Sequence, residues 1–155
     1  MTHDRTKEDV MGRVSGWAES LFSGSRGSHD WDHTSRVRNL CLRIGELTDA
    51  DMETLEIAAI LHDIGRGDQD RSGGRICHAK RGAEMAKEML LIIGIEKDMM
   101  ENIIHCIETH RFRGNKRPRS KEAKILYDSD KLDSIGAIGI GRAFLFSGEI
   151  GAKLH

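Results

Sequence analysis

The sequence is poor in most of what would mark a sheet protein, a secreted protein or a membrane protein. It contains one proline, Pro118, one tyrosine, Tyr127, and few valines. Valine and tyrosine, two residues that fit a pleated surface, are thus thin, and the mix favours helices over sheet. Three cysteines, Cys41, Cys77 and Cys106, are too few and too scattered for a disulfide framework, which points to a reducing cytoplasm. No run is long and apolar enough to span a bilayer, and the first residues, MTHDRTKEDV, hold no signal-peptide core. A membrane partner is not expected. Excess charge of one sign is also missing: the formal net charge is −1, so the chain as a whole is not drawn to nucleic acid. What is plentiful is Ala, Leu, Met, Glu, Lys and Arg, whose side chains lose little freedom in a helix. The 155 residues suffice for one domain, residues 1–155, around a single core.

Apolar spacing divides the chain into helices and loops only. Residues 6–22 repeat Val10, Val14, Trp17 and Leu21 on one face, and Gly24 and Gly27 end the pattern. A second helix starts near Asp30 or Asp32 and carries Val37, Leu40, Cys41 and Ile44 on one stripe. A third follows Asp49 as its N-cap and ends at Gly65, with Leu55, Ala58, Ala59 and His62 inward. Residues 66–76, RGDQDRSGGRI, read as a polar loop. Helices at roughly 78–91, closed by Gly94, and 96–110 follow. Residues 111–121 read as a loop, 122–136 as a sixth helix and 138–146 as part of a seventh. The fold class is all-α, a compact bundle of about six to seven helices.

Polar residues interrupt the inward faces at telling places. His33 opens the stripe that Val37, Leu40 and Ile44 continue, and His62 lies seven residues after Leu55 with Asp63 beside it. Asp130 lies four residues after Leu126, and Asp133 three further on. Three helices thus each aim a titratable group at the interior. An unpaired buried carboxylate costs several kcal/mol or more, roughly the whole stability of a domain. A shared cation would satisfy His33, His62, Asp63 and Asp130 together. A mixed nitrogen and oxygen set suits Mn²⁺, Fe²⁺, Co²⁺, Ni²⁺ or Zn²⁺ better than Mg²⁺, although Mg²⁺ is not ruled out.

With these residues in view, the sequence resembles the HD-domain phosphohydrolase superfamily, closest to its small stand-alone members. The pattern H…HD…D is carried by His33, His62–Asp63 and Asp130. Its flanks are SHDWDHTSRV, LHDIG and YDSDKLDSIGAIGIGRA, and the resemblance covers about residues 28 to 143. It implies an all-α fold, a divalent metal and hydrolysis of a phosphoester or phosphoanhydride bond, often in a nucleotide, by attack of metal-bound water. Some members place further histidines between the doublet and the last aspartate, and His78 and His110 resemble those ligands to a second metal. Equally, these two could be helix-end residues in water. His105 is expected to face away from His110, since five helical residues rotate it by about 140°.

Asp63 and Asp68 are the carboxylates assigned to catalysis, Asp68 because some relatives carry a glutamate shortly after the doublet. Asp133 is expected to support a ligand from behind. The segment RFRGNKRPRSK, residues 111–121, has six basic residues and no acidic one. Read as a phosphate clamp, it contributes Arg111, Arg113 and Lys116, and Arg36, Lys80 and Arg81 are further phosphate contacts. Read blandly, it is a solvated loop. Cys106 with His110 reads as core packing rather than a zinc pair, and His3, His29 and His155 as exposed. Relatives of this type continue past IGAIGIGRA into additional helices, so a homo-oligomer is compatible with an apolar last helix.

Two readings from other classes stay open. One is an oxygenase with two irons on the same scaffold. The other is a non-catalytic nucleotide- or RNA-binding module that uses the basic segment, with nucleic acid disfavoured because Phe112 is the only aromatic residue there.

Overall fold

The computed structural model describes residues 6–22, 30–111 and 116–153. Among them lie eight helices and no strand: α1 (Lys7–Phe22), α2 (Trp31–Gly45), α3 (Met52–Leu61), α4 (Arg66–Arg71), α5 (His78–Ile93), α6 (Lys97–Thr109), α7 (Lys121–Leu132) and α8 (Gly136–Glu149). Seven are longer helices, as the apolar spacing requires, and α4 is a short addition. Histidines 3, 29 and 155, Phe112 and Arg113 fall outside the described residues.

The bundle is organised around α3. Every residue from Thr54 to Leu61 is buried, the mark of a helix that is surrounded rather than half-exposed. It packs against α1, α2, α6 and α7. Its N-cap is Asp51, whose Oδ1 accepts from the Glu53 and Thr54 amides at 3.0 Å each. Asp49, expected in that role, instead pairs with Lys121 on the surface. The helix begins two residues later than the pattern suggested because Asp51 is placed to satisfy two orphan amides at once. Asp30 caps α2 in the same way through the His33 amide, and Ser120 caps α7 through the Ala123 amide. At the other end of α5, Gly94 is left-handed at φ 74°, and the Ile95 amide returns to the Leu90 carbonyl.

Two expectations are corrected by packing. In α1 the core residues are Val10, Val14, Ala18 and Phe22, while Leu21 is 38% exposed. Phe22 turns in because it meets Trp31 at 5.9 Å between ring centroids, where α2 begins. The stretch after Gly65 is helical as far as Arg71 rather than loop. It buries no residue, so no apolar period announced it. Helix α8 buries only Gly139 and leaves Ile138, Ile140, Phe144, Leu145 and Phe146 exposed.

One buried acid joins three elements. Glu122, at the start of α7, accepts from the Asp51 amide at 2.8 Å and from Asn102 Nδ2 of α6 at 2.9 Å. Burial pushes its carboxyl up, but the Asn102 and Asp51 donors outweigh this and hold it below the usual glutamate range. A depressed folded-state value adds stability above the unfolded value, near pH 4.3, which is lost as pH falls through the folded value. Glu122→Ala is therefore expected to destabilise by about 2 kcal/mol at pH 7. Urea melts of both proteins should show that gap closing as the pH is lowered below about 4.

Candidate metal centre

Four helices deliver four imidazoles to one buried place, and the backbone explains how. His62 is the C-cap of α3 and His110 the C-cap of α6. Each donates its Nδ1 proton to a carbonyl three residues back, Ala59 O and Ile107 O, at 2.7 Å. Those carbonyls belong to the last turns of their helices, where acceptors lack amide partners. His33, in the first turn of α2, donates Nδ1 to Asp133 Oδ2 at 2.8 Å, and His78, the first residue of α5, donates Nδ1 to Gln69 Oε1 at 2.8 Å. With Nδ1 as the donor, the neutral form of each ring carries its lone pair on Nε2.

The lone pairs converge. His33 Nε2 and His62 Nε2 are 3.4 Å apart, and His78 Nε2 and His110 Nε2 are 3.2 Å apart. Between them stands Asp63, with Oδ2 3.8 Å from His33 Nε2 and Oδ1 3.4 Å and 3.6 Å from those of His78 and His110. Asp130 Oδ1 lies 3.3 Å from His33 Nε2. Two groups result, each with donor atoms within 4.8 Å of one another: His33, His62 and Asp130, then Asp63, His78 and His110. His33, His62, Asp63, His78 and His110 are all at most 2% exposed. Converging lone pairs and carboxylates repel one another unless a cation lies between them, and this donor set fits divalent ions. His78 and His110 are thus not helix-end residues in water.

Ionisation matches ligation. Burial pushes His62 down to about 4, against the pull of Asp63, and burial likewise drives His78 down. Burial alone would raise Asp63, but the Arg66 guanidinium holds it well below the usual range. Burial would likewise raise Asp130, but it is held low, the Lys131 ammonium beside it contributing. Neutral imidazoles and charged carboxylates are the forms that bind metal.

A cordon of cations surrounds the acids. Arg66 Nη2 reaches both Asp63 oxygens at 3.2 and 3.3 Å. Lys131 Nζ lies 2.7 Å from Asp130 Oδ2 and 2.9 Å from the His110 carbonyl. Asp133 accepts from Arg36 at 2.7 and 3.2 Å and from Arg142 at 2.6 Å, so it stands behind His33 as a fully paired carboxylate. Arg66, Lys131 and Arg142 were missed in the sequence. The signal was present for the first two, which lie three residues and one residue from an assigned aspartate.

The remaining candidates scatter. Asp68 is engaged by Arg71 and by Arg81 Nε at 2.6 Å, contacts that hold its carboxyl below the usual range. Among the described donor groups it belongs to neither. Arg81 and Arg36 are thus committed to carboxylates, Lys116 contacts Glu108 at 2.6 Å, and Lys80 is exposed. Arg111 Nη1 lies 3.3 Å from Cys77 Sγ, beside the start of α5. His105 faces away as expected and accepts the Arg119 amide at 3.0 Å. Cys106 is fully buried in the core.

One glycine permits the two groups to meet. A Cβ on Gly65 would stand 2.3 Å from the His78 carbonyl and 2.6 Å from the Gly82 amide. The turn after the His62–Asp63 doublet therefore crosses the start of α5 almost backbone to backbone.

The HD domain family model matches residues 30–135. The uncharacterized protein YpgQ of Bacillus subtilis is 35% identical over 144 residues, 90% of this chain and 67% of that protein. The solved complex of YpgQ with ADP superposes with a TM-score of 0.76 at 33% identity, over 97% of this chain and 72% of that one. A predicted HD superfamily hydrolase from an uncultured Thermotogales bacterium gives the same TM-score at 31% identity, over 92% of this chain and 82% of that one.

Calorimetric titration of the metal-stripped protein with Mn²⁺ is expected to saturate at two ions per chain, and His110→Ala at one. Wild-type saturation at one ion would mean that His78 and His110 serve another purpose. Gly65→Ala should cost about 1–3 kcal/mol in a urea melt and weaken the second ion more than the first.

Proposed function

The chain belongs to the HD-domain family, and on that footing we propose that it is a metal-dependent phosphohydrolase acting on a phosphoester or phosphoanhydride bond of a nucleotide. The observation that carries this reading is the set of four imidazoles, each with its Nδ1 donated away and its Nε2 turned towards Asp63 or Asp130. His33, His62 and Asp130 would hold one ion, and His78 and His110 a second, with Asp63 facing both. Mn²⁺, Fe²⁺, Co²⁺, Ni²⁺ and Zn²⁺ suit the donors better than Mg²⁺. Bound there, the ions supply Lewis-acid polarisation of a phosphoryl oxygen and a lowered pKa for water.

The protein's own groups supply the rest. Asp133, pinned by Arg36 and Arg142, keeps the His33 ring in one tautomer and one orientation. Arg66 and Lys131 offset the carboxylate charge, so that an anionic substrate is not turned away by Asp63 and Asp130. Arg111, next to His110, offers its fork to phosphoryl oxygens. Asp68 already accepts from two arginines, which suits holding Arg81 in place better than moving a proton.

A nucleotide is favoured as ligand because YpgQ has been solved with ADP. Three free cysteines support a reducing compartment. No helix among the described residues is long and apolar enough to cross a membrane. Self-association is supported by the exposed apolar side chains of α8, among them Ile138 and Phe144.

A second reading is favoured by one feature. Each donor group is two histidines and a carboxylate, the set that non-haem iron oxygenases use to leave positions open. Two irons per chain with O₂ consumption would support that alternative.

The deciding assay is phosphate and pyrophosphate release from a nucleotide panel with each metal, for the wild type and Asp63→Ala. Metal-dependent turnover is expected, reduced at least about 100-fold in the variant, with Arg111→Ala raising KM more than it lowers kcat. Release no greater than that of Asp63→Ala with every metal would remove the hydrolase reading.

A further inference from the structure

Beside the centre runs a cleft of about 440 Å³, lined by Arg111, Lys116, Arg117, Pro118, Lys124, Tyr127 and Asp128. That volume falls within the range of small-ligand sites. One wall is a face of α7, on which Lys124, Tyr127 and Asp128 stand at i, i+3 and i+4. The other is Arg111 with the segment 116–118.

The cleft adjoins the donor cluster through one ammonium group. Lys131 Nζ lies 2.7 Å from Asp130 Oδ2 and 2.9 Å from the His110 carbonyl, and 4.6 Å from the centroid of the Tyr127 ring. The ring in the cleft and the carboxylate in the centre thus share a cation. Arg111 follows His110 and lies against Cys77, the residue before His78. Arg111 thus joins the cleft to the ends of α5 and α6, which bear His78 and His110.

The lining is graded in chemistry. Arg111, Lys116, Arg117 and Lys124 are cationic, and Lys116 already has Glu108. Asp128 is the single acid among them, and Tyr127 is the only tyrosine in the chain. The cations attract any polyphosphate, so the residues that would set a nucleotide apart are Asp128 and Tyr127. A carboxylate accepts from hydroxyl groups, which is how sugar hydroxyls are recognised elsewhere. A flat aromatic ring beside it offers a stacking surface that any base can use.

Resting on the phosphohydrolase reading above, we infer that this cleft is the subsite for the nucleoside end of the substrate, with Tyr127 against the base, Asp128 on the sugar hydroxyls and Arg111 on the phosphate nearest the centre. The assignment selects nucleotides over inorganic polyphosphates and predicts tolerance among bases, because stacking does not read base edges.

The test compares binding of α,β-methylene-ADP and methylenediphosphonate, two ligands with the same uncleavable P–C–P unit, by calorimetry in Mn²⁺. The wild type should bind the nucleotide at least about 10-fold more tightly, since loss of a base stack is worth roughly 5- to 150-fold. Tyr127→Leu should remove most of that ratio, Asp128→Ala part of it, and Tyr127→Phe should retain it. Thermal melts of each variant check that the fold survives. A wild-type ratio near one would overturn the inference, as would a ratio unchanged in Tyr127→Leu. Equal weakening of both ligands in Tyr127→Leu would overturn it too, because the ring would then act only through Lys131. If the ratio holds but no nucleotide is hydrolysed, the hydrolase reading falls and the subsite stands. If hydrolysis holds with a ratio of one, only the subsite falls.

Discussion

The architecture depends on gathering four imidazoles and two carboxylates in one largely buried place. Each of four imidazoles donates from Nδ1 to an acceptor behind it and turns Nε2 to the interior. Asp63 and Asp130 add formal charge among them, and nearly all of this is removed from water. Such an arrangement is unfavourable in an apolar core unless cations enter it. Arg66 and Lys131 meet part of the demand from the sides.

Helix ends, rather than helix faces, make this geometry possible. His62 and His110 sit where α3 and α6 run out of amide donors, so their side chains do double duty by satisfying a terminal carbonyl and presenting Nε2. Asp63 follows His62 within the same turn. Helical neighbours diverge by about 100°, and this places Asp63 towards α5 and α6 while His62 faces α2. The doublet thereby reaches two donor groups from a single backbone position. Gly65 lets the chain leave that position against the backbone of α5.

Charge also ties the centre to the periphery. Asp133 belongs to the end of α7, yet it receives His33 from α2, Arg36 from α2 and Arg142 from α8. Helix α8 buries little else, so this ionic knot and the close seat of Gly139 against Ser134 are among the contacts that hold its first turns. Its apolar side chains remain exposed, in contrast with α3, whose every face is covered.

Periodicity alone was enough to show an all-helical chain and the inward placement of His33 and His62, because an amphipathic helix writes its buried face at regular intervals. Asp63 and Asp130 followed from their places beside His62 and after Leu126, and the H…HD…D pattern agreed with them. Where burial and sequence period part company, the sequence was silent: α4 buries nothing, and Leu21 and Phe22 are equally apolar, so only the contact with Trp31 decides which one turns inward. Asp49 and Asp51 are equally good caps in composition, and the position of two amides chose between them. The roles of His78 and His110 could not be decided from spacing, since a histidine at a helix end serves equally well in water or in a core. Tertiary structure shows both buried, with the ends of α5 and α6 brought against Asp63 from residues far apart in the chain. Sequence determines which residues can ligate, because that is a property of side chains. Only the packing of helix ends determines which lone pairs meet, because that is set by contacts no local pattern encodes.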